Sequence, residues 1–212
     1  MILDLGDGLF LRQATAEDHP ALCLICLRTG NAGRDASWRE DDPFLMGQIY
    51  AVPYQVLEPE LAFVVDGQDG VVGTLFGALD TATFNRRLAS RWYPALQRRI
   101  GDPGPDRTAW RGSDWVRYAI HNPDFVVPDP LTTYPSHGHI DLLPQARGRG
   151  IGRRSIGFLE RRLTHAGSTG LFLDVHPLNV GAQRFYGSLG YQHVEVATHR
   201  QRSTFMAKSF TS

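Results

Sequence analysis

Three glycines spaced two residues apart form the part of this sequence best suited to bind a charged ligand. Gly148, Gly150 and Gly152 lie in H-I-D-L-L-P-Q-A-R-G-R-G-I-G-R-R-S, between an apolar segment typical of a strand and a periodic segment typical of a helix. Glycine adopts positive φ and lets the backbone approach a ligand, so successive N–H groups can point into one concavity. A helix beginning near Gly150 adds the positive end of its dipole, which predicts a diphosphate site. Four arginines would supply charge for further phosphate groups: Arg147, Arg149, Arg153 and Arg154.

Two other phosphate-binding patterns fit this segment poorly. A P-loop requires Gly-Lys-Ser/Thr, and no such lysine is present; a dinucleotide fingerprint requires G-x-G-x-x-G, but the third residue after Gly150 is Arg153. The segment matches [QR]-x-x-G-x-[GA] in two overlapping registers. A plain strand-to-helix turn with solvated arginines is the alternative that this motif alone leaves open.

A second motif, H-P-L-N-V-G-A-Q-R-F-Y-G-S-L-G-Y, follows the next predicted strand. Asn179 stands where a helix cap belongs, and Ala182, Phe185 and Leu189 form one apolar side of the helix. Tyr186 lies one position off that side, so its hydroxyl is able to reach a ligand between the two helices. An ordinary half-buried aromatic is the alternative for Tyr186 taken alone.

Together these motifs resemble those of the GNAT N-acetyltransferase superfamily, whose members carry R-G-x-G-I-G and then N-x-x-A-x-x-F-Y-x-x-x-G-[FY]. The resemblance is strong over His137–Ser209 and weaker over Leu9–Leu79. Within the superfamily, Y-P-S-H-G-H-I-D-L-L-P and the long insertion described below look like bacterial relatives of the C-terminal acetyltransferase-like domain of O-GlcNAcase.

The resemblance implies an N-acetyltransferase that uses acetyl-CoA and an amine acceptor, either a small molecule or a protein. It implies that Leu142 and Leu143 present strand backbone to the pantetheine arm, that Asn179 hydrogen-bonds the arm, and that Tyr186 is the general acid near the sulfur. It further implies that the pyrophosphate is held by backbone amides of the turn: Arg147, Gly148, Arg149, Gly150, Ile151 and Gly152. A non-catalytic CoA-binding module and a protein-interaction domain are the alternatives.

Several residues are candidates for the general base. His137, His139 and Asp141 alternate, so a strand would place them on one face; Asp174 and His176 alternate on the next predicted strand. The order of preference is Asp141, His139, then Asp174, and a water chain or purely structural roles are the alternatives. The alternating His and Asp also resemble metal ligands, but no further ligand follows and no HExxH is present, so no metal site is predicted.

The predicted fold is α/β: one GNAT-like domain over 1–212, with a central mixed twisted sheet, helices on both faces, and splayed fourth and fifth strands that form the cofactor slot. The predicted strands are Leu9–Arg12, Leu61–Asp66, Val71–Leu79, His139–Leu143, Leu171–Val175, Tyr191–Ala197 and Thr204–Ser209. The predicted helices are those starting at Thr15–Asp18, Leu45–Val56, Phe84–Arg98, Ile151–Ala166 and Asn179–Leu189. Residues 81–135 (Thr81–Pro135) are interpreted as an insertion whose aromatic residues line the acceptor site, pack on the sheet or form a homodimer contact.

Composition restricts the remaining possibilities. The 212 residues carry 22 Lys+Arg and 22 Asp+Glu, so no net positive field exists to support general nucleic-acid binding. No apolar run approaches the ~20 residues of a membrane helix, and the first ten residues do not resemble a signal peptide. Both cysteines, Cys23 and Cys26, lie in an apolar helical run and are predicted to be buried core residues. A cytoplasmic protein is expected.

Overall fold

The computed structural model describes residues 1–196 and 203–210. Eight strands form one sheet: β1 (Leu3–Gly6), β2 (Leu9–Gln13), β3 (Ala62–Gly67), β4 (Gly70–Ala78), β5 (Ser136–Leu142), β6 (Gly170–Val175), β7 (Gln192–Val194) and β8 (Thr204–Ser209). The α-helices are α1 (His19–Thr29), α2 (Gly47–Tyr50), α3 (Val52–Leu57), α4 (Thr81–Arg87), α5 (Tyr93–Gln97), α6 (Asp114–His121), α7 (Asp129–Thr132), α8 (Ile151–His165) and α9 (Val180–Gly187). The predicted strand Tyr191–Ala197 is shorter, and Ala197 lies outside the described residues.

The sheet is mixed and opens at one point. Its order is β1-β2-β3-β4-β5-β6-β8-β7, and β5 with β6 is the parallel pair. These two strands pair only through Ser136 with Leu171 and His137 with Phe172, after which they diverge. The predicted splay is therefore confirmed, although the two strands are the fifth and sixth because β1 precedes the expected first strand.

Helices cover both faces of the sheet, as predicted. On one face, the α8 stripe of Ile156, Leu159 and Leu163 is fully buried in a cluster that includes Phe63 and Leu75. On the other face, Leu22 of α1 packs in a cluster with Val64 and Phe76. Successive side chains of β3 and β4 thus point to opposite faces of the sheet and pack in different cores. This is the pattern expected of strands that are buried on both faces.

The insertion packs on this second core. Leu96, Val116 and Ile120 belong to the same buried cluster as Phe76. The Thr81 N–H and hydroxyl both donate to the carbonyl of Pro135, at 2.8 and 2.9 Å, which closes the base of the insertion. Residues 81–135 therefore contribute side chains to the core on this face of the sheet.

Helix boundaries differ from the sequence prediction in three places. The segment Leu45–Val56 is two short helices, because Pro53 lacks the N–H that would continue the helix across Ala51. The helix predicted at Phe84 begins at Thr81, since Asp80 accepts a capping hydrogen bond from the Thr83 N–H at 2.7 Å. It then passes through a π-helical turn, Leu88–Trp92. The first α-helix begins at His19, after a 3-10 turn over Ala16–Asp18.

Both cysteine side chains are buried, as predicted. Cys23 and Cys26 are free thiols with 2% and 5% of their surface exposed. Burial raises the pKa of Cys23 to about 11 and raises the pKa of Cys26 well above its ordinary value. Both side chains are therefore thiols rather than reactive thiolates near neutral pH. We expect a chromogenic disulfide reagent to leave both thiols unmodified in folded protein and to titrate both in denaturant; rapid labelling of folded protein would contradict the buried placement.

Candidate active site

A cavity of about 1030 Å³ lies where β5 and β6 diverge. Residues of both strands line it, and the lining includes the predicted proton-transfer residues and the histidines that alternate with them: His137, His139, Asp141, Asp174, His176 and Tyr186. Helix α9 contributes Tyr186, and the insertion contributes Asn85 and Trp115. The fold therefore brings together candidates that are up to 49 positions apart in the sequence.

The edge of β5 that faces the gap carries unpaired backbone groups. The Leu143 N–H donates to the Val72 carbonyl at 2.9 Å, so backbone groups at every second residue from Leu143 face β4. Those of Ile140 and Leu142 consequently face the gap. The Leu142 carbonyl accepts from Arg147 Nε at 2.6 Å, which leaves the N–H groups of Ile140 and Leu142 for a ligand.

The prediction for Leu143 is wrong, whereas Leu142 faces the gap as expected. The Leu143 N–H is bonded to Val72, and its carbonyl accepts from the Ala146 N–H at 2.9 Å. Adjacent strand residues direct their backbone groups to opposite edges, so Leu142 and Leu143 cannot both serve one ligand. Ile140 is the residue that the sequence reasoning missed, and the period of two was the signal that identifies it.

The glycine turn presents a run of unpaired amides. Among the described residues, no acceptor receives a hydrogen bond from the backbone N–H groups of residues 148–153. Gly148 and Gly150 have φ of 73° and 75°, the left-handed conformation that glycine adopts without strain. The Arg147 N–H instead donates to the Pro144 carbonyl at 3.1 Å. The set of available amides is therefore shifted by one residue from the prediction and ends in the first turn of α8.

Gly152 has a different role from the other two glycines. It lies inside α8, and a Cβ at this position would be 3.0 Å from Cζ of Phe185. Helices α8 and α9 therefore approach closely here because the third glycine has no side chain. This packing places Tyr186, next to Phe185, beside the open end of the gap.

The arginines of the turn hydrogen-bond neighbouring segments of the protein, and their role toward further phosphate groups stays a prediction. Each guanidinium group hydrogen-bonds a neighbouring segment: Arg147 to Gly33, Arg149 to Asp7, Arg153 to Ser188 and Arg154 to Leu5. Arg149 Nε lies 2.9 Å from Asp7 Oδ2 in the turn between β1 and β2. The backbone amides of residues 148–153, in contrast, have no acceptor in the described part of the chain.

Asn179 caps α9, as predicted. Its Oδ1 accepts from the Ala182 N–H at 3.1 Å. Its Nδ2 has no hydrogen-bond partner among the described residues and lies beside Gly33, where an added Cβ would be 3.0 Å from it. Because Asn179 also lines the cavity, this amide is positioned to donate to a ligand.

Tyr186 is more deeply buried than predicted, with 6% of its surface exposed. Its ring contacts Phe185 and Tyr191, and its hydroxyl has no hydrogen-bond partner among residues 1–196 and 203–210. Burial, with the negative charge of Asp141, raises the pKa of Tyr186 well above its usual value of about 10. The phenol is protonated at neutral pH, as tyrosine ordinarily is, and the shift keeps it protonated over a wider pH range.

His139 and Asp141 form a pair on the cavity wall. His139 Nε2 lies 2.8 Å from Asp141 Oδ2, and the ring stacks parallel to Phe76. Burial alone would lower the pKa of His139, but the charge and hydrogen bond of Asp141, with the charge of Asp174, raise it. Burial raises the pKa of Asp174, whereas its hydrogen bond with Ser203 acts to lower that pKa. The three candidate bases thus interact in one cavity.

His137 has a structural role that the sequence did not reveal. Its Nδ1 lies 3.0 Å from Thr81 Oγ1 and its Nε2 lies 2.8 Å from the Tyr54 hydroxyl. The Thr81 hydroxyl donates to Pro135, so it accepts from Nδ1–H, and Nε2 accepts from Tyr54. Burial lowers the pKa of His137 to about 4, so the ring is neutral. It connects β5 to α3 and to the base of the insertion; no spacing in the sequence signals these distant partners.

The tryptophans of the insertion differ in their surroundings: one lines the cavity and two make packing contacts. Trp115 lines the cavity, and its Nε1 donates to the Glu40 carboxylate at 3.0 Å. Trp92 donates to the Gln48 carbonyl and Trp110 to the Gly104 carbonyl, which are packing contacts. Trp115 is thus the one of these three that joins the cavity wall.

The described part of the chain offers neither a metal centre nor a membrane-spanning helix. No group of three or more His, Cys, Asp or Glu side chains there is arranged to hold a metal ion. No helix there has the length and apolar character needed to cross a bilayer.

Comparison with known proteins gives consistent results. Residues 36–191 match the model of the acetyltransferase (GNAT) family. The crystal structure of SsHAT is 34% identical, with a TM-score of 0.85 and coverage of 95% of this chain and 98% of that one. The structure of yncA, a putative acetyltransferase from Salmonella typhimurium with its cofactor acetyl-CoA, is 17% identical, with a TM-score of 0.52 and coverage of 96% and 94%; this similarity shows the fold.

Protein O-GlcNAcase of Rattus norvegicus is 24% identical over 181 residues, which cover 85% of this chain. The chain spans about a fifth of the length of the curated relatives it matches, since the match covers 20% of each. Both resemblances drawn from the sequence motifs are thus confirmed. Because the family model covers the glycine turn, the splayed strands and α9 together, this chain belongs to the acetyltransferase (GNAT) family.

Proposed function

We propose that this protein is an N-acetyltransferase that transfers the acetyl group of acetyl-CoA to a primary amine by direct attack of the amine. The observation that carries the proposal is the run of unpaired amides at residues 148–153, next to a cavity that contains Tyr186 and the His139–Asp141 pair. The amides alone would account only for binding of an anion. The candidate acid, Tyr186, and the candidate base, the His139–Asp141 pair, are what support a catalytic role.

The residues present fit the cofactor. The amides of the turn and the positive end of α8 suit a diphosphate. The gap between β5 and β6 offers the N–H groups of Ile140 and Leu142 to an extended amide-containing arm, and Asn179 Nδ2 provides a further donor. When bound, acetyl-CoA supplies an acetyl thioester, an activated acyl group. The cavity continues past the splay, which leaves space for an acceptor.

Two residues would move the protons. The acceptor arrives as an ammonium ion and must lose a proton before its nitrogen can attack; His139 takes it, and Asp141 orients the ring and raises its basicity. The C–N bond forms as the C–S bond breaks, and Tyr186 protonates the departing thiolate. Asp174 stands close enough to His139 to raise its pKa and remains available to hold the ammonium group.

Thiol release tests the proposal directly. Purified protein with acetyl-CoA and a panel of primary amines is expected to release free CoA thiol in proportion to N-acetylated product, which mass spectrometry identifies. Calorimetric binding of CoA without turnover of any amine would instead support a non-catalytic CoA-binding module. Absence of both binding and turnover would leave a protein-interaction domain and would overturn the proposal.

The pH profile is expected to report the His139–Asp141 pair. Because the pKa of His139 is raised and the base must be neutral, kcat/KM should fall on the acid side with an apparent pKa above the ordinary 6.5. Asp141→Asn removes the raising charge, so this limb should move to lower pH. Comparing both proteins with the same amine cancels the ionisation of the amine. An unchanged limb in Asp141→Asn would exclude the pair as the base.

A further inference from the structure

The cavity extends beyond the proton-transfer residues into a chamber with mostly apolar walls. Beyond His139, its lining includes Tyr54 of α3, Phe172 of β6 and Phe205 of β8, together with Val127 and Leu131 of the insertion. Phe172 packs with buried Leu131 and partly buried Phe205 and Val127 in one cluster. No step of acetyl transfer requires these apolar side chains, so they are available to select the acceptor.

The outer wall of this chamber is held in place. Asn85 Nδ2 donates to the Phe125 carbonyl at 2.9 Å, which attaches the start of the wall to α4. Leu131, in α7 at the other end, is fully buried. Between these two anchors, residues 126–128 line the cavity, so the wall is a fixed part of the chamber.

The border of the chamber exposes two apolar side chains. Val126 is 81% exposed and Leu178 is 78% exposed, and both line the cavity. They come from different segments, the insertion and the loop between β6 and α9. Exposed apolar residues are ordinary when scattered, but two beside an apolar chamber indicate a surface that a ligand covers.

The charge in this half of the cavity is negative. Phe172, Asp174 and His176 alternate along β6, so the Asp174 carboxylate projects from the same face as the aromatic ring. The guanidinium of Arg39, which also lines the cavity, is paired with Glu40 at 3.0 Å. A ligand that pairs with Asp174 while it contacts Phe172, Val127 and Val126 must be cationic at one end and apolar along its body.

We propose that the acceptor is a small primary amine with an aryl or alkyl body, whose ammonium group pairs with Asp174 and whose body lies against Phe172, Val126, Val127 and Leu178. This inference rests on the proposed function for the reaction but concerns the identity of the acceptor. The proposal implies that hydrophilic amines such as amino sugars are poor acceptors, because their hydroxyl groups would lack hydrogen-bond partners against the apolar wall.

Steady-state kinetics with paired amines test the proposal. We expect kcat/KM for 2-phenylethylamine and hexylamine to exceed that for glucosamine and ethanolamine by at least tenfold. The double variant Val126→Ser/Leu178→Ser should reduce this preference severalfold. Val56→Ser, which alters an exposed valine outside the cavity lining, is the matched control and should keep the preference. Asp174→Asn should raise KM for every amine at least tenfold while the calorimetric Kd of CoA stays unchanged.

The outcomes separate the two proposals. Equal kcat/KM across the panel, or a preference for glucosamine or for peptide N-termini, would overturn the aryl or alkyl amine while the acetyltransferase function stands. If no amine is acetylated but CoA-loaded protein binds 2-phenylethylamine, and Asp174→Asn abolishes that binding, the ligand class is supported and the transferase function fails. Absence of binding together with absence of turnover would overturn both.

Discussion

Tyr186→Phe is expected to lower kcat for acetyl transfer by about 100-fold or more while the affinity for acetyl-CoA changes less than about twofold. The hydroxyl is protonated at neutral pH, as in any tyrosine of ordinary or raised pKa, and it has no protein partner in the described part of the chain. Removing it eliminates a proton donor near the departing thiolate without breaking a hydrogen bond. Steady-state kinetics and calorimetry on the same preparation measure both quantities.

Tyr191→Phe is the matched control for this prediction. Tyr191 is also buried and contacts the Tyr186 ring, but its hydroxyl donates to Glu160 at 2.8 Å, and it does not line the cavity. Its loss should cost about 1 kcal/mol of the free energy of unfolding, measured in denaturant, and leave kcat within about threefold. If Tyr186→Phe and Tyr191→Phe lower kcat equally, the effect of the first is structural and Tyr186 is not the general acid.

Gly148→Asp is expected to weaken binding of CoA at least about 100-fold. The substitution places a carboxylate within the run of amides at residues 148–153, where it competes for the same donors and repels a diphosphate. Gly148 has φ of 73°, and a Cβ there meets no atom within 4 Å, so the fold itself is strained only by the left-handed backbone. Calorimetric titration with CoA measures the loss.

Gly167→Asp is the matched control because it imposes the same chemistry at the other end of α8. Gly167 has φ of 91°, and a Cβ there also meets no atom within 4 Å. Both variants should therefore lose about 1 kcal/mol of unfolding free energy, but Gly167→Asp should bind CoA with unchanged Kd. Equal affinities in the two variants would show that the glycine turn does not hold the diphosphate.

The motifs that identified the site were those in which local geometry and chemistry coincide. Asn179 is a helix cap by residue type and also lines the cavity; Gly148 and Gly150 need positive φ and also expose amides. At such positions the local backbone conformation restricts the residue type, so the functional position can be recognised from the sequence alone. The β3–β4 hairpin and the apolar stripe of α8 were predicted for the same reason, since their periodicity is local.

The errors arose where partners are distant in the sequence. The sequence does not show that the arginines of the turn have partners within the protein, because three of those partners lie more than a hundred residues away: Gly33 for Arg147, Asp7 for Arg149 and Leu5 for Arg154. Leu143 was assigned to the gap because the residue that fixes its orientation, Val72, lies on another strand. The connection of His137 to Tyr54 and Thr81 has no local signature at all.

By itself the sequence determined the type of site: a glycine turn with free amides between a strand and a helix, followed by a capped helix that carries Tyr186. Those features are local, because φ preferences, caps and helical periodicity act over a few residues. Only the tertiary structure decided which groups face the cavity and which segments form its walls. Strand register, burial and the approach of Val126 of the insertion to the end of β6, where Asp174 lies, arise only when the chain packs. The pKa shifts in the cavity depend on that packing, so no local pattern contains them.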